Sequence, residues 1–434
     1  MSLSLQTAGV PRAPSRLKPL LDTAIRYGIS TAGPLATSAA HFLAALLFMR
    51  ALPPAQFGLF SFVLVIVPFA MSASGALLVI PVTRALTGDA ATRAATLATC
   101  LKANLLVALL VALAVGAALA IAGAAPPAAL AFGLFGGALT GRWFARCLAY
   151  VEGRAGRAVA CDLVYGAGVT VGLAVLAVCH RLTLADGAAA MLAAALLALL
   201  PLGRRFLAAQ AASLFTARIG DYRPLFLDLT RWSLLGVVFT EATANAHAYL
   251  VTFAAGPGAF ALLALGMLLM RPASLVQSAL PDMERPAMTR HIAARDWPGL
   301  SRRLGEFRAS LLLVWLGTLL ADGGLLLWCP GFILKKDYSL HDVTAVLALS
   351  AVILMLRALR GPPAVLLQAA GAFKEMAGIG LACSAVAILA TLALLIAFGP
   401  VASLGGIVAG ELMILYRVRG LVKDWEARRD GCRS

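Results

Sequence analysis

Residues 29–80 read ISTAGPLATSAAHFLAALLFMRALPPAQFGLFSFVLVIVPFAMSASGALLVI and contain two apolar runs, 29–49 and 57–80, separated by a segment with Arg50, Pro53 and Pro54. Each run has the roughly twenty apolar residues that a helix needs to cross a bilayer core of about 30 Å. The two prolines interrupt helical continuity between the runs. This stretch therefore predicts a transmembrane helical hairpin.

The same composition continues along the whole chain. Of its 434 residues, 61% are apolar and 13% charged, whereas globular domains have about 45–50% and about 25%. This excludes an ordinary water-soluble protein, because too few polar residues remain to cover its surface. We predict an all-α integral membrane protein with about twelve transmembrane helices, at 29–49, 57–80, 103–123, 127–149, 158–179, 186–202, 232–254, 258–280, 310–330, 343–366, 377–398 and 402–418.

Positive charge predicts the orientation of these spans. The formal charge of +16 comes from 36 basic and 20 acidic residues that lie mostly between apolar runs, which is typical of cytoplasmic membrane loops rather than of nucleic-acid binding. With residues 1–28 as a cytoplasmic tail, the outward loops contain only four basic residues: Arg50, Arg181, Lys335 and Lys336. An even span count then places residues 419–434 in a second cytoplasmic tail.

Short internal repeats divide the chain into two six-helix halves, 29–202 and 232–418, joined by a cytoplasmic linker, 203–231. Pro54-Ala-Gln-Phe-Gly-Leu59 opens the second span and Pro257-Gly-Ala-Phe-Ala-Leu262 the eighth. Gly141-Arg142 before Gly153 resembles Arg360-Gly361 before Gly371 and Lys374. Six spans per half give both copies the same orientation, a parallel pseudo-repeat around a central cavity. Residues 281–308 read as an amphipathic helical connector on the cytoplasmic side.

Glycines recur at four-residue spacing in two places. Gly133, Gly137 and Gly141 lie in the fourth span, and Gly406 and Gly410 in the twelfth. Such spacing lets helix backbones approach closely in lipid. Chance is an equally good explanation in a chain with 40 glycines.

The seventh span carries the strongest polar pattern. Glu241, Asn245 and Tyr249, followed by Thr252, share one helical face, with His247 beside it. Ionisable groups are costly in hydrocarbon, so this face should contact protein or a water-filled cavity. We interpret Glu241 as a candidate ion-coupling residue and Asn245 and Tyr249 as candidate cavity residues. A structural, hydrogen-bonded glutamate is the alternative.

A second polar stripe lies in the first span. Its members share a helical face and are Ser30, Pro34, Thr37, Ser38 and His41. His41 is the candidate cavity residue among them. Hydroxyl groups in this position suit a sugar, although serine and threonine also hold membrane helices together.

Arginines within or near spans form the third candidate group, consisting of Arg84, Arg142, Arg271, Arg357 and Arg360. A guanidinium binds phosphate oxygens in a bidentate way, so inward-facing arginines suit a pyrophosphate. Arg271 and Arg357 are predicted deep inside spans. For Arg84, Arg142 and the adjacent Arg146, snorkelling to the interface is the alternative.

Enzyme and cofactor signatures are not found. The sequence has no Walker A motif, no G-x-S-x-G and no HExxH. Seven cysteines are scattered singly, which predicts neither a metal site nor a disulfide framework. Asp322, Asp337, His341 and Asp342 are cation ligands by type, but their spacing is unspecific.

Several segments together resemble a known family. They are Arg50 to Phe60 after the first span, Arg84 at the end of the second, Gly256-x-x-x-Phe-Ala-Leu262, and Leu367-Gln-Ala-Ala-Gly-Ala-Phe-Lys374 after the tenth. In these segments and its span count, the chain resembles the Wzx-type polysaccharide flippases of the multidrug/oligosaccharidyl-lipid/polysaccharide exporter superfamily. The lipid II flippases of that superfamily usually have fourteen spans.

The resemblance implies a bacterial inner-membrane carrier that works by alternating access. Its substrate would be an undecaprenyl-pyrophosphate-linked oligosaccharide for surface or exopolysaccharide export, and its partners a polysaccharide polymerase and export machinery. No cofactor and no nucleic acid are expected. Two alternatives stay open: a cation-coupled multidrug antiporter, and a membrane glycan polymerase or ligase, which generally needs a larger outward loop than this sequence has.

Overall fold

The computed structural model describes residues 17–85, 89–333 and 338–431, and these residues are helical, without β-strands. They confirm the all-α prediction. Residues 1–16 of the predicted tail lie outside the described residues, as do Lys335, Lys336, Asp337 and Cys432.

The described residues contain twelve long helical segments, numbered in the order of the predicted spans. In the first half they are α1 Leu17–Ala51, α2 Pro54–Ala85, α3 Ala90–Ile121, α4 Pro126–Val151, α5 Ala155–Val178 and α6 Leu184–Leu202. In the second half they are α7 Arg231–Ala254, α8a Pro257–Leu269 with α8b Arg271–Ala293, α9 Trp297–Trp328, α10 Leu340–Ala369, α11 Phe373–Phe398 and α12 Leu404–Gly431. The linker helix, Arg204–Thr216, lies between the halves in sequence.

Eight helices in the described ranges are long and apolar enough to cross a membrane by themselves: α1 from Gly33, α2, α3, α5, α6, α9, α10 and α11. A ninth is added if α8a and α8b form one span with the 62° bend between them. The other three, α4, α7 and α12, carry charged residues in their apolar runs, among them Arg142, Glu241 and Glu411. Such residues need partners within the protein.

Three predicted segments outside the membrane spans are helical in the structure. The predicted tail 1–28 is helical from Leu17 as part of α1, and the predicted tail 419–434 continues α12 to Gly431. The predicted connector 281–308 consists of the ends of two long helices, since α8b extends to Ala293 and α9 begins at Trp297. Asp296 lies between these two helices and caps the start of α9, where it accepts a hydrogen bond from the Gly299 N–H.

The helix contacts repeat between the two halves. The pairs α1–α5, α2–α4, α3–α4, α4–α6 and α5–α6 of the first half correspond to α7–α11, α8–α10, α9–α10, α10–α12 and α11–α12 of the second. Helices α4 and α10 also end alike, at Gly153 with φ 74° and Gly371 with φ 84°, a left-handed conformation that suits glycine. The parallel pseudo-repeat is thus visible in packing as well as in sequence.

The four-residue glycine spacing marks close helix contacts. A Cβ added at Gly137 of α4 would lie 2.5 Å from the Ala108 carbonyl oxygen of α3, and one at Gly410 of α12 would lie 2.6 Å from the Ala387 Cβ of α11. Real side chains do not fit at such distances, so these helices pack backbone to backbone. The close-packing interpretation is confirmed, and chance is not needed to explain the spacing.

The two halves meet where α2 contacts α7 and α8a. A Cβ at Gly58 would overlap the Pro257 carbonyl oxygen, and Gly258 faces Ala55. Phe62 adds edge contacts with the rings of Tyr249, Phe253 and Phe260, at centroid distances of 5.6, 5.4 and 6.3 Å. The two copies of the proline-led repeat motif therefore pack against each other and close this end of the bundle.

Candidate functional site

A central cavity of about 290 Å³ lies between the halves, with walls from α1, α2, α7 and α8. Its polar wall residues are His41, Ser61, Asn245 and Arg271. A second cavity of about 240 Å³ lies within the first half among α1, α2, α4 and α5. His41, on α1, lines both cavities and joins them into one polar region.

Arg271 occupies a distinctive position in the central cavity. It is the first residue of α8b, directly after the bend that interrupts the eighth span, and its side chain is exposed at the cavity. No side chain caps the N-terminus of α8b in the described part of the chain. A helix N-terminus carries partial positive charge, so the bend brings the dipole of α8b and a guanidinium to the same place.

The α1 stripe faces the first-half cavity. Pro34, Thr37, Ser38 and His41 all line it, as their common helical face predicts. The side chain of Ser30 lies outside the described residues. His41 Nε2 and the Tyr165 hydroxyl of α5 lie 2.7 Å apart, which fixes the histidine ring against the cavity wall.

A charge cluster forms part of this cavity wall and ties α4 to α5. Asp162 accepts hydrogen bonds from Arg142 Nη1 at 2.9 Å and from Arg146 Nε at 2.6 Å. Only 1% of the Arg142 side chain is exposed, and its guanidinium lies 4.3 Å from the Tyr165 ring centroid. Two guanidiniums share one carboxylate, so the cluster keeps a formal charge of +1.

Snorkelling is therefore the wrong interpretation for Arg142 and Arg146. Both line the first-half cavity, and Asp162 holds them in the protein interior. Gly33 of α1 leaves room for the Asp162 carboxylate, which a Cβ at that position would overlap. The sequence reasoning overlooked Asp162, although a single acidic residue in an otherwise apolar span is the signal that finds it.

The second half contains a corresponding cluster. Arg357 Nε and Arg360 Nε of α10 lie 2.7 and 2.5 Å from the two carboxylate oxygens of Glu411 in α12. The arginine side chains are each 30% exposed and the glutamate side chain 6%. This cluster again keeps a formal charge of +1, and its Glu411 was also overlooked in the sequence.

The two clusters are related by the repeat but are not copies. Arg142 and Arg360 hold equivalent places in α4 and α10 relative to Gly153 and Gly371, the glycines that end these helices. The carboxylate comes from α5 in the first half and from α12 in the second. Each cluster therefore has the same formal charge of +1, although its carboxylate comes from a different helix. The two clusters share their charge rather than their detailed geometry.

The polar face of α7 has the geometry that its spacing predicts. Glu241 Oε1 accepts hydrogen bonds from Asn245 Nδ2 at 3.0 Å and from the Tyr249 hydroxyl at 3.2 Å. Asn245 lines the central cavity, whereas Tyr249 contacts Phe62 at the interface between the halves. Of the candidates on this face, only Asn245 is part of the cavity wall.

Three predicted cavity arginines lie away from both cavities. Arg84 is exposed near the end of α2, and neither it, Arg357 nor Arg360 is among the residues that line the two cavities. Their placement on the cavity wall is therefore not what the structure shows. Arg357 and Arg360 are instead held by Glu411, at a helix contact within the second half.

The candidate cation ligands do not come together. Within the described ranges, no group of three or more His, Cys, Asp or Glu side chains is arranged to hold a metal ion. Asp342 accepts a hydrogen bond from Ser339 at the start of α10, and Asp337 lies outside the described residues. Asp322 is buried in α9, and its Oδ2 has no hydrogen-bond partner among the described residues.

No protein-family model and no curated protein sequence match this chain. Solved structures do. A multidrug resistance MATE family transporter of the MOP superfamily in its inward-facing conformation matches with a TM-score of 0.65 and 14% identity, covering 91% of this chain and 99% of that chain. The lipid II flippase MurJ, inward closed, matches with a TM-score of 0.64 and 11% identity, covering 91% and 87%. The chain therefore has the fold of these transporters.

A further match concerns conformation. The outward-facing form of a MATE family transporter of the same superfamily matches with a TM-score of 0.53 and 14% identity, covering 91% of this chain and 95% of that chain. The chain is thus more similar to the inward-facing form than to this outward-facing form.

Proposed function

We propose that this protein is a flippase that moves an undecaprenyl-pyrophosphate-linked oligosaccharide across a bacterial inner membrane by alternating access. The observation that carries the proposal is the cavity between the halves, where Arg271 and the N-terminus of α8b provide positive charge at the break in the eighth span. Both termini are cytoplasmic in this proposal, as the distribution of basic residues predicts. A polysaccharide polymerase and export machinery are the proposed partners.

Electrostatics favours an anionic head group. A pyrophosphate cannot enter hydrocarbon without compensation, because an isolated charge there costs many kcal/mol. Arg271 offers a bidentate donor fork. The Arg142–Arg146–Asp162 cluster adds a net positive charge at the wall of the first-half cavity. Both sources of charge have the sign that attracts phosphate.

Neutral polar groups on the same walls suit a glycan. Ser61 and Asn245 line the central cavity, and Thr37 and Ser38 line the adjoining one. These groups donate and accept hydrogen bonds without adding charge. The oligosaccharide is therefore proposed to contact α1 and α7, while the phosphates contact Arg271.

The conformation fits the loading step. With cytoplasmic termini, the contact of Gly58 with Pro257 lies on the outer side, so we propose an inward-facing state that exposes the cavity to the leaflet where such a lipid is assembled. Release then requires α2 to separate from α8a. Glu241 is proposed to couple this change to an ion gradient, since protonation would weaken its acceptor role toward Asn245 and Tyr249.

A vesicle assay tests the proposal. The purified protein is reconstituted alone with a fluorescent undecaprenyl-pyrophosphate oligosaccharide, and the label reaching the opposite leaflet is quenched with an impermeant reagent. Wild-type protein should flip the lipid, Arg271→Ala should lose most of that activity, and Arg419→Ala, an exposed arginine of α12, should retain it. Absence of flipping by folded wild-type protein, or full activity of Arg271→Ala, would overturn the assignment. Longer glycans instead of flipping would indicate a polymerase.

A cation-coupled multidrug antiporter is the second candidate. It is favoured by the fold shared with a transporter named for multidrug resistance and by Asp322 of α9, whose buried Oδ2 has no hydrogen-bond partner in the part of the chain that the structure describes. The positive charge around the central cavity disfavours a cationic drug. Efflux of a cationic dye that persists in Arg271→Ala and is lost in Asp322→Asn would support this alternative.

A further inference from the structure

A groove on the lipid-facing side of the first half is separate from the central cavity. It has a volume of about 400 Å³, and its walls come from α3, α4, α6 and the linker helix. Leu109, Leu134 and Leu196 form exposed parts of the rim. The small side chains of Ala108, Ala112 and Ala138 leave the interior open.

The dimensions of the groove fit one hydrocarbon chain. Its α3 wall extends from Asn104 to Ala112, which corresponds to about 12 Å at about 1.5 Å per residue. Half of a bilayer core is about 15 Å thick. A lipid chain lying along α3 would therefore be covered over most of its depth in one leaflet.

Two exposed arginines lie beside one end of the groove, although they do not form part of its wall. Phe206 and Leu207, in the first turn of the linker helix, line the groove, so the start of that helix lies at its end. Arg204 and Arg205 open the helix and are exposed. No side chain caps this N-terminus within the residues that the structure describes. Uncapped N–H groups beside two guanidiniums are suited to a phosphate.

A second polar group points to a ligand at this end. Asn104 lines the groove and is only 3% exposed. Its Nδ2 donates to Gln210 Oε1 at 3.1 Å, and Gln210 Nε2 donates to the Leu101 carbonyl oxygen at 2.6 Å. The Asn104 Oδ1 is buried without a partner among the described residues. Since buried acceptors are nearly always satisfied, it is suited to a donor on a bound molecule.

We propose that this groove binds a single phosphatidylglycerol molecule of the bilayer, with an acyl chain between α3 and α6, its phosphate at the start of the linker helix, and a head-group hydroxyl donating to Asn104 Oδ1. The anionic phosphate matches Arg204 and Arg205, and the hydroxyl matches the unpaired acceptor. This lipid is a resident ligand rather than the transported one, because α4 lies between the groove and the first-half cavity, and the Arg142 side chain that lines both is only 1% exposed. The bound lipid would fix the linker helix against α3.

The test uses full-length protein in nanodiscs of equal phosphatidylglycerol and phosphatidylcholine, washed in detergent and analysed by native mass spectrometry. Wild-type protein should retain one phosphatidylglycerol per chain, with about tenfold preference over phosphatidylcholine. Ala138→Phe, which fills the groove, should lower this retention about tenfold. Leu110→Phe, an exposed α3 residue that does not line the groove, should not.

A second pair of variants changes only exposed arginines and leaves the wall of the groove intact. Arg204→Gln with Arg205→Gln should remove the preference for phosphatidylglycerol, whereas Arg218→Gln, an exposed arginine further along the linker, should leave it unchanged. Equal retention of both lipids by wild-type protein would overturn the proposal. So would wild-type retention by Ala138→Phe or by the Arg204→Gln/Arg205→Gln variant.

Discussion

Asp162→Asn is expected to be the most destabilising polar substitution in the first half. Asp162 neutralises Arg142 at 2.9 Å and Arg146 at 2.6 Å, and the Arg142 and Asp162 side chains are 1% and 2% exposed. Removing one partner of a buried ion pair costs about 3–5 kcal/mol, because the remaining charge stays buried without compensation. Here one carboxylate serves two guanidiniums, so the upper part of that range is expected.

Glu411→Gln is the matched comparison. It removes the same function from the second half, but its arginine partners are each 30% exposed and can be solvated after the loss. The expected cost is about 1–3 kcal/mol, as for an unsatisfied polar group. In both variants one carboxylate that serves two arginines is lost, so the difference in their free energies of unfolding reports the effect of burial.

The free energy of unfolding is measured in mixed micelles by titration with a denaturing detergent, with helical circular dichroism as the signal. Replacing all three groups, as Arg142→Met, Arg146→Met and Asp162→Leu, should recover most of the stability, because apolar replacements of a complete buried cluster are often neutral. An Asp162→Asn loss no larger than that of Glu411→Gln would refute the reasoning. Failure of the triple variant to recover stability would refute it as well.

Three further outcomes are expected. Gly58→Leu cannot fit against Pro257, so it should separate α2 from α8a. A cysteine introduced at Ser61 should then react more with an impermeant thiol reagent added from the outer side. The control variant Leu110→Phe should leave this labelling unchanged. Glu241→Gln should abolish the pH or ion-gradient dependence of flipping, and an unchanged dependence would clear Glu241 of this role. Hydrogen bonds from the Gly299 N–H and His291 lower the pKa of Asp296. The stabilising effect of the ionised Asp296 should therefore be present above the ordinary carboxyl pKa and disappear on acidification. The melting temperatures of wild-type protein and Asp296→Asn should accordingly converge at low pH.

The fold was predictable from sequence because lipid imposes one strong requirement. A chain with apolar runs of about twenty residues must satisfy its backbone within helices, and this argument placed the twelve predicted spans in the order of the observed helices. The repeat motifs at Pro54 and Pro257 also predicted which segments correspond between the halves. Helix ends in water were less predictable, since α12 continues to Gly431 with no apolar run to mark its length.

The site was predictable only in part, because periodicity along one helix does not reveal its neighbours. The common face of Glu241, Asn245 and Tyr249 followed from helical spacing and is confirmed by hydrogen bonds within α7. The partners of Arg142 and Arg357 lie on other helices, at Asp162 and Glu411. The depth of a charged residue within a span therefore predicted that it needs a partner. It did not predict whether that partner is a water-filled cavity or a carboxylate on another helix.

The closed contact between the halves limits how transport can be driven. Of the three edge contacts of Phe62, those with Tyr249 and Phe253 join α2 to α7, and the one with Phe260 joins α2 to α8a. At about 0.5–1.5 kcal/mol for each aromatic pair, separating α2 from both helices gives up about 1.5–4.5 kcal/mol. A substrate shifts such an equilibrium only by the difference in its affinity for the two states. Arg271 lies at the bend between α8a, which forms this contact, and α8b. In the proposed function, phosphate binding at the bend would change the angle of α8a and weaken the Phe62–Phe260 contact directly, without a longer coupling path.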